Sequence, residues 1–238
     1  MSEVRLYLGD CRDFMRELPD GSFDTIITDP PYNAINRESS GLRCLDKGEA
    51  DSQPVDIDVI SQELIRLASG SIYVWCSDEQ YTAWTMAFKE AGLTTRICAW
   101  WKTNPSPMNG EHLWLSAIEL CVFARKPGAS FFENCASPVW RGPTEKVDGH
   151  PTPKPLWLMK RLVLASAPYG SMVFDPYMGS GQTGVACMQT GRGFAGCDNN
   201  YSYFKIAEKR IGDAQQQPLL PFGADNTQLK AEQIELTL

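Results

Sequence analysis

The sequence predicts an open α/β sheet with helices on both faces, and three observations predict it. Short β-rich runs alternate with helix-like stretches along the chain. An apolar run at 23–28 ends directly in Asp29-Pro30-Pro31-Tyr32, and a later one at 172–174 enters a helix through a glycine-rich turn. With 43% apolar and 21% charged residues, the chain has the composition to bury one sizeable core.

The elements follow in order from hydrophobic periodicity and from start and stop residues. Residues 4–8 read as a strand, 11–18 as a helix and 23–28 as a buried strand. Residues 33–54 form a polar loop, rich in Ser, Gly and charge and longer than most loops in compact domains, which marks it as functional or mobile. An amphipathic helix at 57–68, a strand at 71–76, a helix at 78–91 capped by Ser77 and a strand at 94–102 continue the alternation. After a Pro/Asn loop at 103–110, residues 117–125 have strand character. Residues 126–149, interrupted by Pro127, Pro138 and Pro143, read as an irregular connector or small recognition insert. A helix at 156–166, a strand at 172–174, a helix at 182–189, a strand at 193–197 and a helix at 201–211 complete the order. One domain is therefore expected over 1–212, followed by a flexible tail at 213–238.

Composition narrows the function classes. None of the eight cysteines has Cys-x-x-Cys spacing and neither His112 nor His150 sits in a metal-ligand pattern, so no disulfide framework and no metal are expected. The apolar runs at 70–76 and 161–168 are too short to span a bilayer, and no signal-peptide profile opens the chain, which predicts a cytoplasmic protein. A net charge of −7 argues against non-specific coating of nucleic acid, which needs Lys and Arg on phosphates. Local contacts remain open at Arg37, Arg43, Lys47, Lys102, Asn104 and Arg141, with solvated surface groups as the plain alternative.

Two motifs carry chemistry. In Asp29-Pro30-Pro31-Tyr32 the prolines fix the backbone and remove N–H donors, leaving carbonyls that can only accept, while Asp29 adds a carboxylate acceptor. An exocyclic amine is a double donor, and Tyr32 offers an aromatic face, so the set suits an amino-bearing base. An ordinary strand-to-loop turn is the competing explanation.

The second motif runs Phe174-Asp175-Pro176-Tyr177-Met178-Gly179-Ser180-Gly181-Gln182-Thr183-Gly184. Its glycines permit a tight turn and close ligand approach, and Asp198, about 20 positions on, is suited to accept from ribose hydroxyls. No Gly-Lys-Ser/Thr follows, so phosphoryl transfer is disfavoured. A helix N-terminus at Gly179 to Gly181 could receive the carboxylate of an amino-acid-bearing nucleoside such as S-adenosylmethionine. A nicotinamide dehydrogenase would share this turn but gives no role to Asp29 to Tyr32.

Together these segments resemble the β-group amino-methyltransferases of DNA, in which Asp-Pro-Pro-Tyr precedes the glycine-rich cofactor segment. The resemblance covers roughly residues 3–212 and adds Gly9-Asp10-Cys11, Leu18-Pro19-Asp20, Trp101-Lys102-Thr103-Asn104-Pro105 and His150-Pro151-Thr152-Pro153-Lys154-Pro155. It implies a Rossmann-like class I S-adenosylmethionine-dependent methyltransferase, with a mostly parallel sheet, one antiparallel strand (117–125 the candidate) and circularly permuted motif order.

The resemblance also implies site roles. Asp29, Pro30, Pro31 and Tyr32 are the catalytic set. Asp10 and Cys11, then Asp29, then His150, Thr152 and Lys154, would bind the cofactor. So would Phe174, Asp175, Met178, Gly179, Ser180, Gly181, Gln182, Thr183, Asp198 and Asn199. Adenine N6 in DNA is the implied target, releasing S-adenosylhomocysteine; cytosine N4, or an amide in RNA or protein, is the alternative. No Pro-Cys dipeptide occurs to suggest the carbon-5 cytosine route, which needs a nucleophilic cysteine. Gln182, Pro153 and Asp198 stand where the family commonly has Thr, Gln and Glu. The resemblance is compatible with a homodimer, though the sequence does not give the oligomeric state, and a companion nuclease of a restriction-modification pair stays open. The tail motif Gln217-Pro218-Leu219-Leu220-Pro221-Phe222 loosely resembles peptides that dock on the bacterial sliding clamp; folding back onto the core is the alternative.

Overall fold

The computed structural model describes residues 2–32, 55–107 and 111–217. The polar loop with Arg37, Arg43 and Lys47, and the tail motif beyond Gln217, lie outside the described residues. In chain order the elements are β1 Val4–Leu8, α1 Cys11–Arg16, β2 Phe23–Thr28, α2 Ile57–Leu67, β3 Ala68–Cys76, α3 Asp78–Glu90 and β4 Thr94–Lys102. Then follow β5 Ile118–Arg125, β6 Val139–Gly142, α4 Leu156–Ser166, β7 Met172–Asp175, α5 Gln182–Thr190, β8 Gly193–Asp198 and α6 Tyr201–Gln215.

The strands form one sheet in the order β1-β8-β7-β2-β3-β5-β4-β6. β5 runs antiparallel to both β3 and β4, as the family resemblance implies for 117–125, and the other pairings are parallel. The central strands are apolar almost throughout because helices cover both faces. Alternation assigns their side chains to two cores: Ile27, Tyr73, Trp75 and Val173 face the layer of α4, α5 and α6. Ile26, Ile72, Val74 and Phe174 face α1, α2 and α3. In α2, Ile60, Leu64 and Leu67 recur at helical spacing and are buried, each contributing about 1.5–3 kcal/mol of apolar transfer.

Four boundaries depart from expectation for identifiable reasons. α1 stops at Arg16, two residues short, with Glu17 as its C-cap ahead of Leu18-Pro19, because the residue before proline is pushed out of the helical region. β3 begins three residues early, since Gly70 lets its backbone close on β2: a Cβ there would sit 2.2 Å from the Asp24 carbonyl oxygen. The 126–149 stretch, expected to be irregular, supplies edge strand β6, anchored by buried Trp140 and by the Trp100 indole donating to the Gly142 carbonyl at 3.0 Å. α6 continues to Gln215 because Ile211 and Ala214 still pack into the core. Among the described residues no helix is long and apolar enough to cross a membrane.

Candidate active site

β2 and β7 are adjacent in the sheet although far apart in sequence, and from them the chain proceeds in opposite directions: β2 to β3 on one side, β7 to β8 on the other. That reversal opens a crevice at the carboxyl ends of the strands, the ligand position of open α/β sheets. β2 delivers Asp29 to Tyr32 to this crevice and β7 delivers Asp175 and the glycine-rich turn.

On the β2 side, both oxygens of Asp29 are engaged. Tyr32 donates its hydroxyl to Oδ1 at 2.9 Å, and Lys154 donates from Nζ to Oδ2 at 2.5 Å and to the Tyr32 hydroxyl at 3.3 Å. The Lys154 side chain is 9% exposed and would be costly to bury alone. Glu119 of β5 supplies a second carboxylate, its Oε2 3.1 Å from Lys154 Nζ, and its Oε1 pairs with Lys102 at 2.6 Å. Burial disfavours the Lys154 ammonium, but Asp29 and Glu119 outweigh it and hold its pKa above the ordinary lysine value. Burial likewise works against Glu119, yet Lys154 and Lys102 bring its pKa down to about 2. The Trp75 and Tyr32 rings flank the ammonium at 5.3 and 5.4 Å. α3 braces the same segment: Gln80, the partner of Ser77 in its capping box, donates from Nε2 to the Pro31 carbonyl at 3.1 Å.

On the β7 side, the turn is fixed by backbone geometry and by neighbours. Gly179 and Gly181 have positive φ, +48° and +76°, and a Cβ on them would lie 2.9 Å from His150 Nε2 and from the Ala207 Cβ respectively. Asp175 accepts from the Tyr177 amide at 3.1 Å and the Thr183 hydroxyl at 2.8 Å, and burial lifts its pKa to about 7. Asp198 accepts from the amides of Gly179 and Asn200 at 2.9 and 2.8 Å; burial outweighs these bonds and raises its pKa to about 6. His150 rests against Tyr203, and burial lowers its pKa, so it is neutral near pH 7.

The two sides enclose a cavity of about 660 Å³, large enough for a nucleoside-sized ligand. Its wall carries the carboxylates of Asp29, Asp175 and Asp198, which suit a cation. It also carries two buried polar atoms that find no partner among the described residues, His150 Nδ1 and Gln182 Nε2.

Residues 133–209 match the family model for DNA methylases of the N6/N4 type. Over 241 aligned residues the chain is 31% identical to the Type II methyltransferase M2.DpnII of Streptococcus pneumoniae, covering 88% of this chain and 90% of that protein. The chain belongs to the N6/N4 family of DNA methylases. The Type II methyltransferase M2.MboI of Moraxella bovis is 28% identical over 86% of each chain. Among solved structures, the M1.HpyAVI–S-adenosylmethionine complex superposes with a TM-score of 0.69 at 25% identity, covering 87% of this chain and 98% of that one. The PvuII cytosine-N4-specific DNA methyltransferase also gives 0.69, at 15% identity over 90% of this chain and 92% of that one, a likeness of fold. The protein is thus an S-adenosylmethionine-dependent DNA methyltransferase of the class I fold, with the glycine-rich segment after Asp-Pro-Pro-Tyr in the chain.

Most of the residues expected to serve the methyltransferase's cofactor line this one cavity. Asp10, Cys11, Asp29, Pro31, His150, Thr152 and Lys154 line the cavity, as do Asp175, Met178, Gly179, Ser180, Gln182, Thr183, Asp198 and Asn199. Four expected site residues do not. Pro30 is buried behind the segment, and Tyr32 packs against the core with its hydroxyl turned to Asp29. Gly181 caps α5 and abuts α6. Phe174 is fully buried on the opposite face, stacked on Phe23 at 4.5 Å, because strand alternation turns it away from Asp175. Asp10, lining the cavity, is also the N-cap of α1 and is tied to Arg12.

The nucleic-acid candidates divide. Lys102 is spoken for by Glu119 and is 15% exposed, so it is not a phosphate contact in this arrangement. Asn104 accepts from the Thr144 amide at 2.7 Å and joins two loops. Arg141 lies over the exposed Trp101 ring at 4.9 Å. Glu119, Gln80, and Arg210, which donates to the Gln182 side chain at 2.7 Å and to the Ser180 carbonyl at 2.5 Å, were not expected at the site. Glu119 carries a signal in the sequence: it is the one charge inside the apolar run 118–124, and a buried charge requires partners. Among the described residues no group of three or more His, Cys, Asp or Glu is placed to hold a metal ion.

Proposed function

We propose that the protein methylates adenine N6 in DNA, with the base turned out of the duplex into the crevice beside Asp29. The observation that carries this reading is the abutment of two chemically distinct half-sites in one cavity: an acceptor set after β2 and a glycine-rich turn after β7.

The turn and its carboxylates would hold S-adenosylmethionine. The start of α5 and Asp175 would hold the amino-acid end, Asp198 and Asn199 the ribose, and Asp10 and Cys11 the adenine; all of these residues line the cavity. His150 Nδ1 and Gln182 Nε2, lacking partners in the protein, are available to the ligand. When bound, the cofactor supplies an electrophilic sulfonium methyl.

The chain's own residues then act on the amine. The Asp29 carboxylate, which lines the cavity, accepts from the amine and draws its hydrogens away from the cofactor half, leaving the nitrogen lone pair on the side facing that half. Gln80 restrains the Pro31 carbonyl and so the whole segment, reducing the entropic cost of orienting the base. Tyr32 acts from behind Asp29, its hydroxyl donating to Oδ1 at 2.9 Å and so fixing the direction of the carboxylate that meets the amine. As the methyl passes from sulfur to nitrogen, leaving S-adenosylhomocysteine, the amine gives up one proton, for which Asp29 is the adjacent acceptor.

The test is transfer of labelled methyl from S-adenosylmethionine to unmethylated DNA, with product nucleosides separated by mass spectrometry. Label in 6-methyladenine is the expected result. Label in 4-methylcytosine would overturn the choice of base, and no label in DNA would overturn the reading.

A further inference from the structure

Both Asp29 oxygens are occupied in this structure, one by Tyr32 and one by Lys154, although the reading above needs one of them for the amine. Displacing Lys154 from Asp29 would strand a buried ammonium unless another acceptor is within reach. Glu119 is that acceptor. Its Oε2 lies 3.1 Å from Lys154 Nζ, within ion-pair distance, and it has no other partner among the described residues. Its Oε1 is fixed by Lys102, so the carboxylate has a set direction. Its position on β5, opposite Trp100 of β4, roots it in the sheet beside Lys154.

We propose that Glu119 is a positioning residue that takes Lys154 from Asp29 when the target amine enters, freeing Asp29 Oδ2 while keeping the ammonium paired. The inference rests on the function proposed above, and it assigns Glu119 no contact with substrate or cofactor. Lys154 thereby becomes a movable counter-charge: on Asp29 in the empty site, on Glu119 in the occupied one. No proton changes hands in this exchange.

Single-turnover methylation at saturating S-adenosylmethionine and DNA tests it, on wild type, Glu119→Gln, Lys154→Met and the double variant. Glu119→Gln should slow the methyl-transfer rate about tenfold or more, with S-adenosylmethionine affinity unchanged within about threefold. In the Lys154→Met background the same substitution should change the rate less than about twofold, because the group it acts through is gone. A wild-type rate in Glu119→Gln, or an equal loss in both backgrounds, would overturn the inference. If Glu119→Gln lacks a cooperative melting transition, Glu119→Asp takes its place in the cycle, and its loss must again vanish beside Lys154→Met. An inactive wild type would instead refute the function on which the inference rests.

Discussion

Lys154 Nζ lies 2.5 Å from Asp29 Oδ2, joining residues 125 positions apart in the chain. The contact ties the acceptor segment after β2 to the segment that leads into α4, and through Glu119 and Lys102 it reaches β5 and β4. The site is therefore anchored to four elements by alternating charges, each of which is costly without its neighbours.

Removing different members of this chain should have unequal costs. Glu119→Ala leaves two largely buried ammonium groups with Asp29 as the one remaining carboxylate, and should destabilise by about 3–5 kcal/mol. Lys154→Met leaves Glu119 still paired with Lys102, and Asp29 is 31% exposed and can be hydrated, so its cost should be well below that. Urea unfolding of the two variants checks the order, and a reversed order would contradict the network.

Gly181→Ala should be markedly more harmful than Gly92→Ala. Both glycines have φ near +80°, which costs an L-residue about 1–2 kcal/mol. At Gly92 a Cβ meets nothing within 4 Å, whereas at Gly181 it meets the Ala207 Cβ at 2.9 Å and Cα at 3.0 Å, so α5 and α6 must separate. Thermal unfolding compares them, and equal melting points would mean that helix packing does not constrain the turn.

Asp175 sets a pH dependence. Burial raises its pKa from 3.8 to about 7, so the folded protein holds this proton more tightly than the unfolded chain does. The resulting stabilisation is complete below about pH 4 and is lost as pH rises through 7. Unfolding free energy of the wild type should therefore decline relative to Asp175→Asn between pH 4 and pH 7, and parallel curves would contradict the shift.

Phe174→Ala should behave as a core deletion. Its ring is fully buried and stacked on Phe23, so a loss of about 3–5 kcal/mol in stability is expected, with little change in cofactor affinity for the protein that remains folded. Isothermal titration with S-adenosylmethionine alongside urea unfolding separates the two effects, and a large affinity loss at unchanged stability would restore Phe174 to the cofactor site.

What was legible in the sequence is what is local in the sequence. Asp29 to Tyr32 and Gly179 to Gly181 show their chemistry in consecutive residues after an apolar strand; alternation marks β5 as a strand, while its antiparallel direction came only from the family resemblance. Phe174 belongs to the same motif but points the other way, because a strand's period of two separates neighbours onto opposite faces. Lys102 and Glu119 are partners across β4 and β5, so one read as a phosphate contact and the other as part of a strand until their pairing was known. Gln80 hid in a different way: it satisfies a capping box, and nothing in that motif indicates that the same amide also reaches Pro31.

The chemical account stands or falls on Asp29. Methyl transfer and S-adenosylmethionine binding, measured side by side on Asp29→Ala, give the most direct test. The account predicts loss of transfer by at least about 10²–10⁴-fold, with cofactor affinity within about tenfold of wild type. Transfer at a rate near that of the wild type would contradict it.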